Sequence, residues 1–240
     1  MEIFEESCLV PEAGLCPGDL FRMIQKVSGD HCRAIGYGET VMEELGLMWV
    51  ITRHGVRLLR PLLPGEELRL RTWPGPTRHG MCPRWYRIES PEGELVGTGC
   101  AIWSVVDRES RKMVIPAERG VEIEPLVNGL EGERLRAPLR LPARESADYT
   151  VPPQVLDENG HMNNTRYYDL AESCMGTRGR PLRRALAEYS AEAREGDCLR
   201  LRWSEEDGLY CFAGENGGVP AFRMNLEYWD FCAIQSPGGD

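Results

Sequence analysis

No apolar run in this 240-residue chain approaches the roughly 20 residues that a helix needs to cross a bilayer. The longest candidates, around Leu45–Ile51 and Ala101–Val106, are strand-sized, so membrane insertion is not expected. The opening Met-Glu-Ile-Phe-Glu-Glu lacks the basic start and apolar stretch of a secretory signal, and a cytoplasmic protein is expected. Basic charge is in deficit too. A net charge of −10 argues against generic nucleic-acid binding, because a phosphate backbone needs a basic face. The nine cysteines include no Cys-x-x-Cys pair, and of the four histidines only His31 stands beside one, Cys32. An odd, scattered set fits reduced thiols packed as small hydrophobes; neither a disulfide framework nor a structural metal is expected.

The remaining composition is that of an ordinary globular protein, with 42% hydrophobic and 28% charged residues, which excludes a disordered chain. Length allows one large domain or two small ones. Arginine far outnumbers lysine and clusters at Arg53–Arg60, Arg69–Arg71 and Arg178–Arg184. Solvated strand and helix faces account for most such clusters; a docking patch for an acidic partner is the sharper reading.

The chain resembles itself. Gly65-Glu-Glu-Leu-Arg-Leu-Arg-Thr-Trp73 recurs as Gly196-Asp-Cys-Leu-Arg-Leu-Arg-Trp203, and both stretches alternate apolar and polar residues as a half-buried strand does. Each is followed by two strand-like runs, Cys82–Ser90 with Glu94–Asp107 and Leu209–Gly214 with Val219–Ala233. The turns between them, Pro91-Glu-Gly93 and Glu215-Asn-Gly-Gly218, contain the glycines that tight hairpins need. Each half also begins with a short strand, near Phe4–Val10 and Arg144–Thr150, and then a helix. The first helix starts at Pro17 and puts Leu20, Met23, Ile24 and Val27 on one face, with a shorter helical piece at Glu39–Leu45. The second helix runs from Asn163 to Cys174. These patterns predict a first repeat over 1–120, a surface linker over 121–142 rich in Gly, Pro and charge, and a second repeat over 143–240. One helix followed by an antiparallel sheet, done twice, is α+β architecture, and a sheet wrapped around its own central helix is the hot-dog arrangement, here in two tandem repeats. Two such units in one chain would build internally the pair that a lone unit forms with a second copy.

Chemistry concentrates in Leu156-Asp-Glu-Asn-Gly-His-Met-Asn-Asn-Thr-Arg-Tyr-Tyr168, where the second helix begins. Asp157, Asn159 and His161 alternate, so in an extended loop they share a side. Asn163 suits a helix N-cap, and the N–H groups near Met162, Asn163 and Asn164 offer a site for a developing oxyanion. Asp, Asn and Gly are also ordinary turn residues, so each alone has a structural explanation. His161 sets the segment apart, since histidine is the one side-chain type whose unperturbed pKa lies near neutrality, and here it sits amid three amide or carboxylate groups. Moving the segment back by 146 positions aligns Gly160 with Gly14, and puts Pro11, Ala13 and Leu15 where Asp157, Asn159 and His161 stand. If those groups served only the fold, the first repeat should carry them too. One active site per chain, in the second half, is therefore expected.

The string Asp157-x-Asn159-x-His161-x-Asn163-Asn164-x-x-Tyr167 resembles the active-site signature of the plant and bacterial acyl-ACP thioesterases. Glu188-Tyr-Ser-Ala-Glu192, on the strand after the helix, is similar to a second family element. Weaker echoes lie at Trp49–Arg53, Pro64–Glu66, Leu70–Pro74 and Ala101–Asp107, so that the resemblance covers nearly the whole chain. It implies hydrolysis of fatty acyl thioesters without metal or cofactor, the acyl group arriving on the 4'-phosphopantetheine arm of an acyl carrier protein. It implies Glu192 as general base, or less simply as nucleophile, with His161 orienting the water or the glutamate. Asn159 would place the water and Asp157 would fix the loop. Plant members often have a cysteine after that glutamate; here Ala193 removes that nucleophile. The resemblance also implies that the first repeat lines the acyl tunnel, with Met42, Leu45, Met48 and Trp49 as candidates, although plain core packing explains each equally well. Arg178, Arg180, Arg183 and Arg184 are candidates for carrier docking. An acyl-CoA thioesterase, a hot-dog dehydratase and a non-catalytic acyl-binding protein are the competing readings; a homodimer is compatible with all of them.

Overall fold

A computed structural model describes residues 2–130, 140 and 145–230. Its contacts fall into two units: Met1–Leu9, Arg22–Val56 and Glu67–Leu135 in one, Val10–Phe21, Arg57–Glu66 and Arg136–Asp240 in the other.

The elements of the N-terminal half are β1 (Phe4–Leu9), α1 (Pro17–Ala34), α2 (Glu39–Glu44), β2 (Leu47–Leu58), β3 (Glu67–Pro74), β4 (Met81–Glu89), β5 (Leu95–Asp107) and the two-residue β6 (Met113–Val114). The strands run in the order β1-β3-β4-β5-β2, with β6 on β5. The alternation read in Gly65–Trp73 is the pleat of β3, which buries Leu68, Leu70 and Thr72 and leaves Arg69 and Arg71 half-buried between them. Gly93, at φ +91°, closes the β4–β5 hairpin while the Ser90 N–H donates to the Glu94 carbonyl at 2.9 Å. Helix α1 begins at Pro17 as predicted and buries Leu20, Phe21, Ile24 and Val27 completely or nearly so. Removing each such side chain from water contributes about 1.5–3 kcal/mol.

A polar group is buried with this helix. The Ser28 hydroxyl donates to the Ile24 carbonyl at 2.7 Å, which leaves its oxygen to accept from the Tyr86 hydroxyl at 2.8 Å. One turn further on, Arg84 Nη1 lies 2.8 Å from His31 Nδ1 and 3.2 Å from Thr72 Oγ1. A guanidinium cannot accept, so His31 Nδ1 is the acceptor and the ring is neutral, protonated at Nε2. Burial and the Arg84 charge together push the His31 pKa down to about 4, and burial alone pushes that of His54 down to about 3. Both groups have folded values below the unfolded value near 6.5. Their contribution is therefore complete above pH 6.5 and is lost as pH falls towards 4, because the unfolded chain binds protons that the folded chain refuses. Urea midpoints measured at constant ionic strength should fall across that window. His54→Leu should flatten the slope whatever it does to absolute stability, and an unchanged slope would contradict this account.

The C-terminal half repeats the plan with β7 (Glu145–Thr150), α3 (Arg166–Met175), β8 (Leu182–Tyr189), β9 (Cys198–Glu206), β10 (Leu209–Asn216) and β11 (Val219–Tyr228). The order is β8-β11-β10-β9-β7, antiparallel throughout. Two-residue turns with both φ values positive, Asp207-Gly208 and Gly217-Gly218, join β9 to β10 and β10 to β11. Tyr167, Tyr168 and Ala171 of α3 are buried; the Tyr167 ring stacks on Phe222 of β11 with centroids 4.1 Å apart, and Tyr168 on Phe21 at 4.2 Å.

The architecture is α+β, as the repeats predicted, with differences at the boundaries. β11 stops at Tyr228 rather than continuing to Ala233, which lies outside the described residues, as do Arg144 and half of the expected 121–142 linker. The first part of that linker is pinned to the fold at two points. Val121 is buried with Met42, Leu47 and Val105, and the Leu126 N–H donates to the Pro74 carbonyl at 2.9 Å. Helix α3 starts at Arg166, three residues later than Asn163, because the Asn163 N–H is bonded to the Val155 carbonyl and residues 164–165 form a turn.

Candidate active site

The segment singled out in the sequence forms a closed loop in the second unit. Asp157 and His161 are joined by a 2.7 Å bond from the Asp157 N–H to the His161 carbonyl, and Gly160, at φ +73°, makes the reversal. The loop is therefore a tight turn, not the extended stretch expected, and the three polar side chains are not arrayed by simple alternation. Asp157 turns back on its own backbone: Oδ1 accepts from the Asn159 N–H at 2.9 Å and from the His161 N–H at 3.2 Å. It fixes the loop from within, an arrangement that short acidic side chains favour.

The loop is tied to the segment after β8. The Met162 N–H donates to the Ala193 carbonyl at 2.7 Å, and His161 pairs with Arg194 as an isolated β-bridge. Glu192 is consequently not on the strand, as expected, but three residues past its end. The ladder stops there because the N–H groups of both Ser190 and Ala191 turn to the single carbonyl of Ala221, at 2.8 and 3.2 Å. This bend brings Glu192 Oε2 to 3.0 Å from His161 Nε2. The imidazole is mostly shielded, at 12% exposure, while the carboxylate is 35% exposed. A titratable base and a carboxylate, 31 positions apart in sequence by their residue numbers, thus share one hydrogen-bonding contact open to solvent on the carboxylate side.

Two of the three expected oxyanion donors are already committed. The Met162 N–H serves Ala193, and the Asn163 N–H donates to the Val155 carbonyl at 3.0 Å. Asn164 is the one whose N–H those bonds leave out. The Asn163 side chain accepts from Thr165 N–H and Thr165 Oγ1 at 2.9 and 2.8 Å, capping the approach to α3 from two residues before the nominal cap. Sequence reasoning missed Arg194, whose Nη2 lies 3.7 Å from Glu192 Oε2 at a largely exposed position, and the carbonyls of Val155 and Ala193. Arg194 carries no pattern that would have marked it, and carbonyl roles have no signature in residue type.

The other candidates are dispersed. Met42 and Trp49 share one cluster, with Trp49 Nε1 donating to the Tyr37 carbonyl at 3.1 Å. Met48, the neighbour of Trp49 on β2, points to the opposite face, and Arg111 Nη1 lies 3.4 Å from its sulfur. Leu45, at the end of α2, is 40% exposed. These four do not line one cavity, since adjacent strand residues cannot share a face. Of the docking arginines, Arg180 bonds the Tyr210 hydroxyl and lies over the Tyr210 and Tyr228 rings, Arg183 lies over Trp229, and Arg184 pairs with Glu227 at 3.3 Å. Arg178 is exposed, with neither an ion pair nor a ring contact among the described residues.

A thiol and two carboxylates, from Cys16, Asp169 and Glu172, gather within 4.8 Å of one another. Burial, reinforced by the hydrogen bond to Asp19, pushes the Cys16 pKa up to about 12, which holds the thiol protonated as it stands.

Residues 18–119 match the family model described as the acyl-ACP thioesterase N-terminal domain. No match was found among curated proteins. Among solved structures, an acyl-ACP thioesterase from Bacteroides thetaiotaomicron superposes with a TM-score of 0.83 at 18% identity, over 95% of this chain and 98% of that one. The 12:0-ACP thioesterase from Umbellularia californica gives 0.77 at 18% identity, over 95% and 97%. At such low identity these likenesses speak for the fold, which is the tandem hot-dog fold.

Proposed function

We propose, from the match of residues 18–119 to the acyl-ACP thioesterase N-terminal domain and from the tandem hot-dog fold, that the chain is an acyl-ACP thioesterase and hydrolyses the thioester of a fatty acyl-acyl carrier protein. The products are a free fatty acid and the carrier with its phosphopantetheine thiol. The observation that carries this reading is the 3.0 Å contact between His161 Nε2 and Glu192 Oε2.

In this mechanism Glu192 takes a proton from water, which attacks the thioester carbonyl. His161 holds the carboxylate in place and passes a proton to the departing thiol. Asn159 positions the water, and Asp157 keeps the loop in register through its bonds to the Asn159 and His161 N–H groups. The Asn164 N–H, at the mouth of α3, polarises the carbonyl as it becomes tetrahedral. No cysteine nucleophile is called on: Ala193 stands beside Glu192, and burial raises the pKa of Cys174 in α3.

The second reading is an acyl-CoA thioesterase, which uses the same chemistry on another thiol carrier. Free fatty acid should be measured by mass spectrometry from a panel of acyl carrier protein and acyl-CoA thioesters. Release from the carrier protein substrates is the expected result, with kcat/KM falling as salt rises because an acidic carrier is captured by charge. Release from acyl-CoA alone would move the protein to the second reading, and no release from either would overturn both.

A further inference from the structure

The first repeat keeps the scaffold of the catalytic loops without their chemistry. In the second repeat the Val151 N–H donates to the Asp197 carbonyl at 2.9 Å, and the Gly196 N–H returns a bond to Val151 at 3.0 Å. In the first, Val10 and Glu66 make the same bond at 2.8 Å, and Gly65 returns it at 3.0 Å. The Arg194 N–H reaches the Asp197 carboxylate at 2.8 Å, and the Leu63 N–H reaches that of Glu66 at 3.0 Å. The turn bond from Gly160 to Asp157 recurs from Gly14 to Pro11, both glycines at positive φ. The turn at Pro153–Val155 has no counterpart. Following these bonds, Glu192 corresponds to Pro61, Ala193 to Leu62 and His161 to Leu15.

This copy is not collapsed. It opens on a cavity of about 350 Å³, lined by residues that all belong to the second unit. Leu15, Leu20, Leu58, Leu62, Leu63 and Leu182 make the wall, and Arg178 and Arg180 stand on it. Leu63 is 53% exposed, an apolar side chain left in water at the site. A leucine-lined cavity of this size with a few polar groups is the usual form of a small-ligand site. Arg180 is held over two aromatic rings, whereas Arg178 is exposed and has no ion pair among the described residues. Asp19, the one carboxylate on the wall, accepts from the Cys16 thiol at 2.9 Å.

We propose that this cavity binds a free fatty acid, its hydrocarbon chain among the leucines and its carboxylate at Arg178. Only the source of the ligand rests on the hydrolytic reading, which would make it the reaction's product; the binding itself does not. Methyl-labelled leucines in the full chain should be followed by NMR during titration with dodecanoate below its micelle concentration. The Leu15, Leu62 and Leu63 methyls should shift saturably. Leu15→Asp should weaken this by about tenfold, since it puts a charge among apolar groups, and Arg178→Glu by roughly threefold. If Leu15→Asp does not fold, Leu15→Asn serves in its place. Dodecylamine shifting the same methyls as strongly would overturn the carboxylate assignment and point to Asp19. Shifts produced only by acyl-CoA or acyl carrier protein would overturn the free-acid assignment, and the absence of any shift would leave the copy a scaffold alone. Since none of these outcomes depends on turnover, failure here and failure of the hydrolytic reading are distinguishable.

Discussion

Glu192→Gln should lower single-turnover release of fatty acid by about a thousandfold, and His161→Ala by a similar factor, within the range that a positioned acid or base supplies. Gln keeps the shape of the side chain and a carbonyl oxygen to face His161, but it removes the basicity that water activation requires. Because Glu192 is 35% exposed and lies beyond the end of β8, the substitution should leave the melting temperature nearly unchanged. His161→Ala removes the partner 3.0 Å away and keeps the backbone bonds of the loop, since Asp157 bonds the residue 161 N–H and carbonyl rather than the ring. The double variant should be little worse than either single one, because two groups acting on one proton path are not additive. Circular dichroism would establish folding, and release would be quantified by mass spectrometry. Near-normal turnover in both folded single variants would overturn the assignment.

Phe222→Ala should cost about 4 kcal/mol, a drop in melting temperature of roughly 10 °C. The Phe222 ring is 1% exposed, stacks on Tyr167 and meets Phe212 with centroids 5.3 Å apart. It sits where Gly214 has no side chain, and a Cβ on that glycine would run into the ring. Gly214→Ala should therefore destabilise too, by about 1–3 kcal/mol, through overpacking rather than a cavity. Tyr167 follows the Asn163–Thr165 cap by two residues, so displacing its stacking partner loosens the start of α3 beneath the loop. The measurement is calorimetric or urea unfolding of both variants. Equal stability to the parent chain would show that the aromatic stack contributes nothing.

Much of this was legible in order along the chain. Alternation in Leu68–Thr72, recurring in Leu199–Trp203, marked two β-strands of equal role, and paired glycines marked the hairpins, because both signals are local to a few residues. The contrast between Asp157, Asn159 and His161 and their first-repeat counterparts Pro11, Ala13 and Leu15 marked the polar loop on which the proposed mechanism rests. Boundaries were less legible. Nothing in the Asn163 side chain tells that its own N–H is spent on Val155, so the helix was expected three residues early.

By itself, then, the sequence determined the two-repeat α+β plan and which half holds the polar set, since periodicity and residue type are properties of short segments. Tertiary structure decided the rest. It alone set Glu192 against His161, because a bend after β8 and a bond from Met162 to Ala193 bring distant segments together. It separated Met48 from Trp49, which adjacency in sequence had joined. It also turned the silent first-repeat loops into a leucine-lined cavity, because a volume is enclosed only by segments that meet in space.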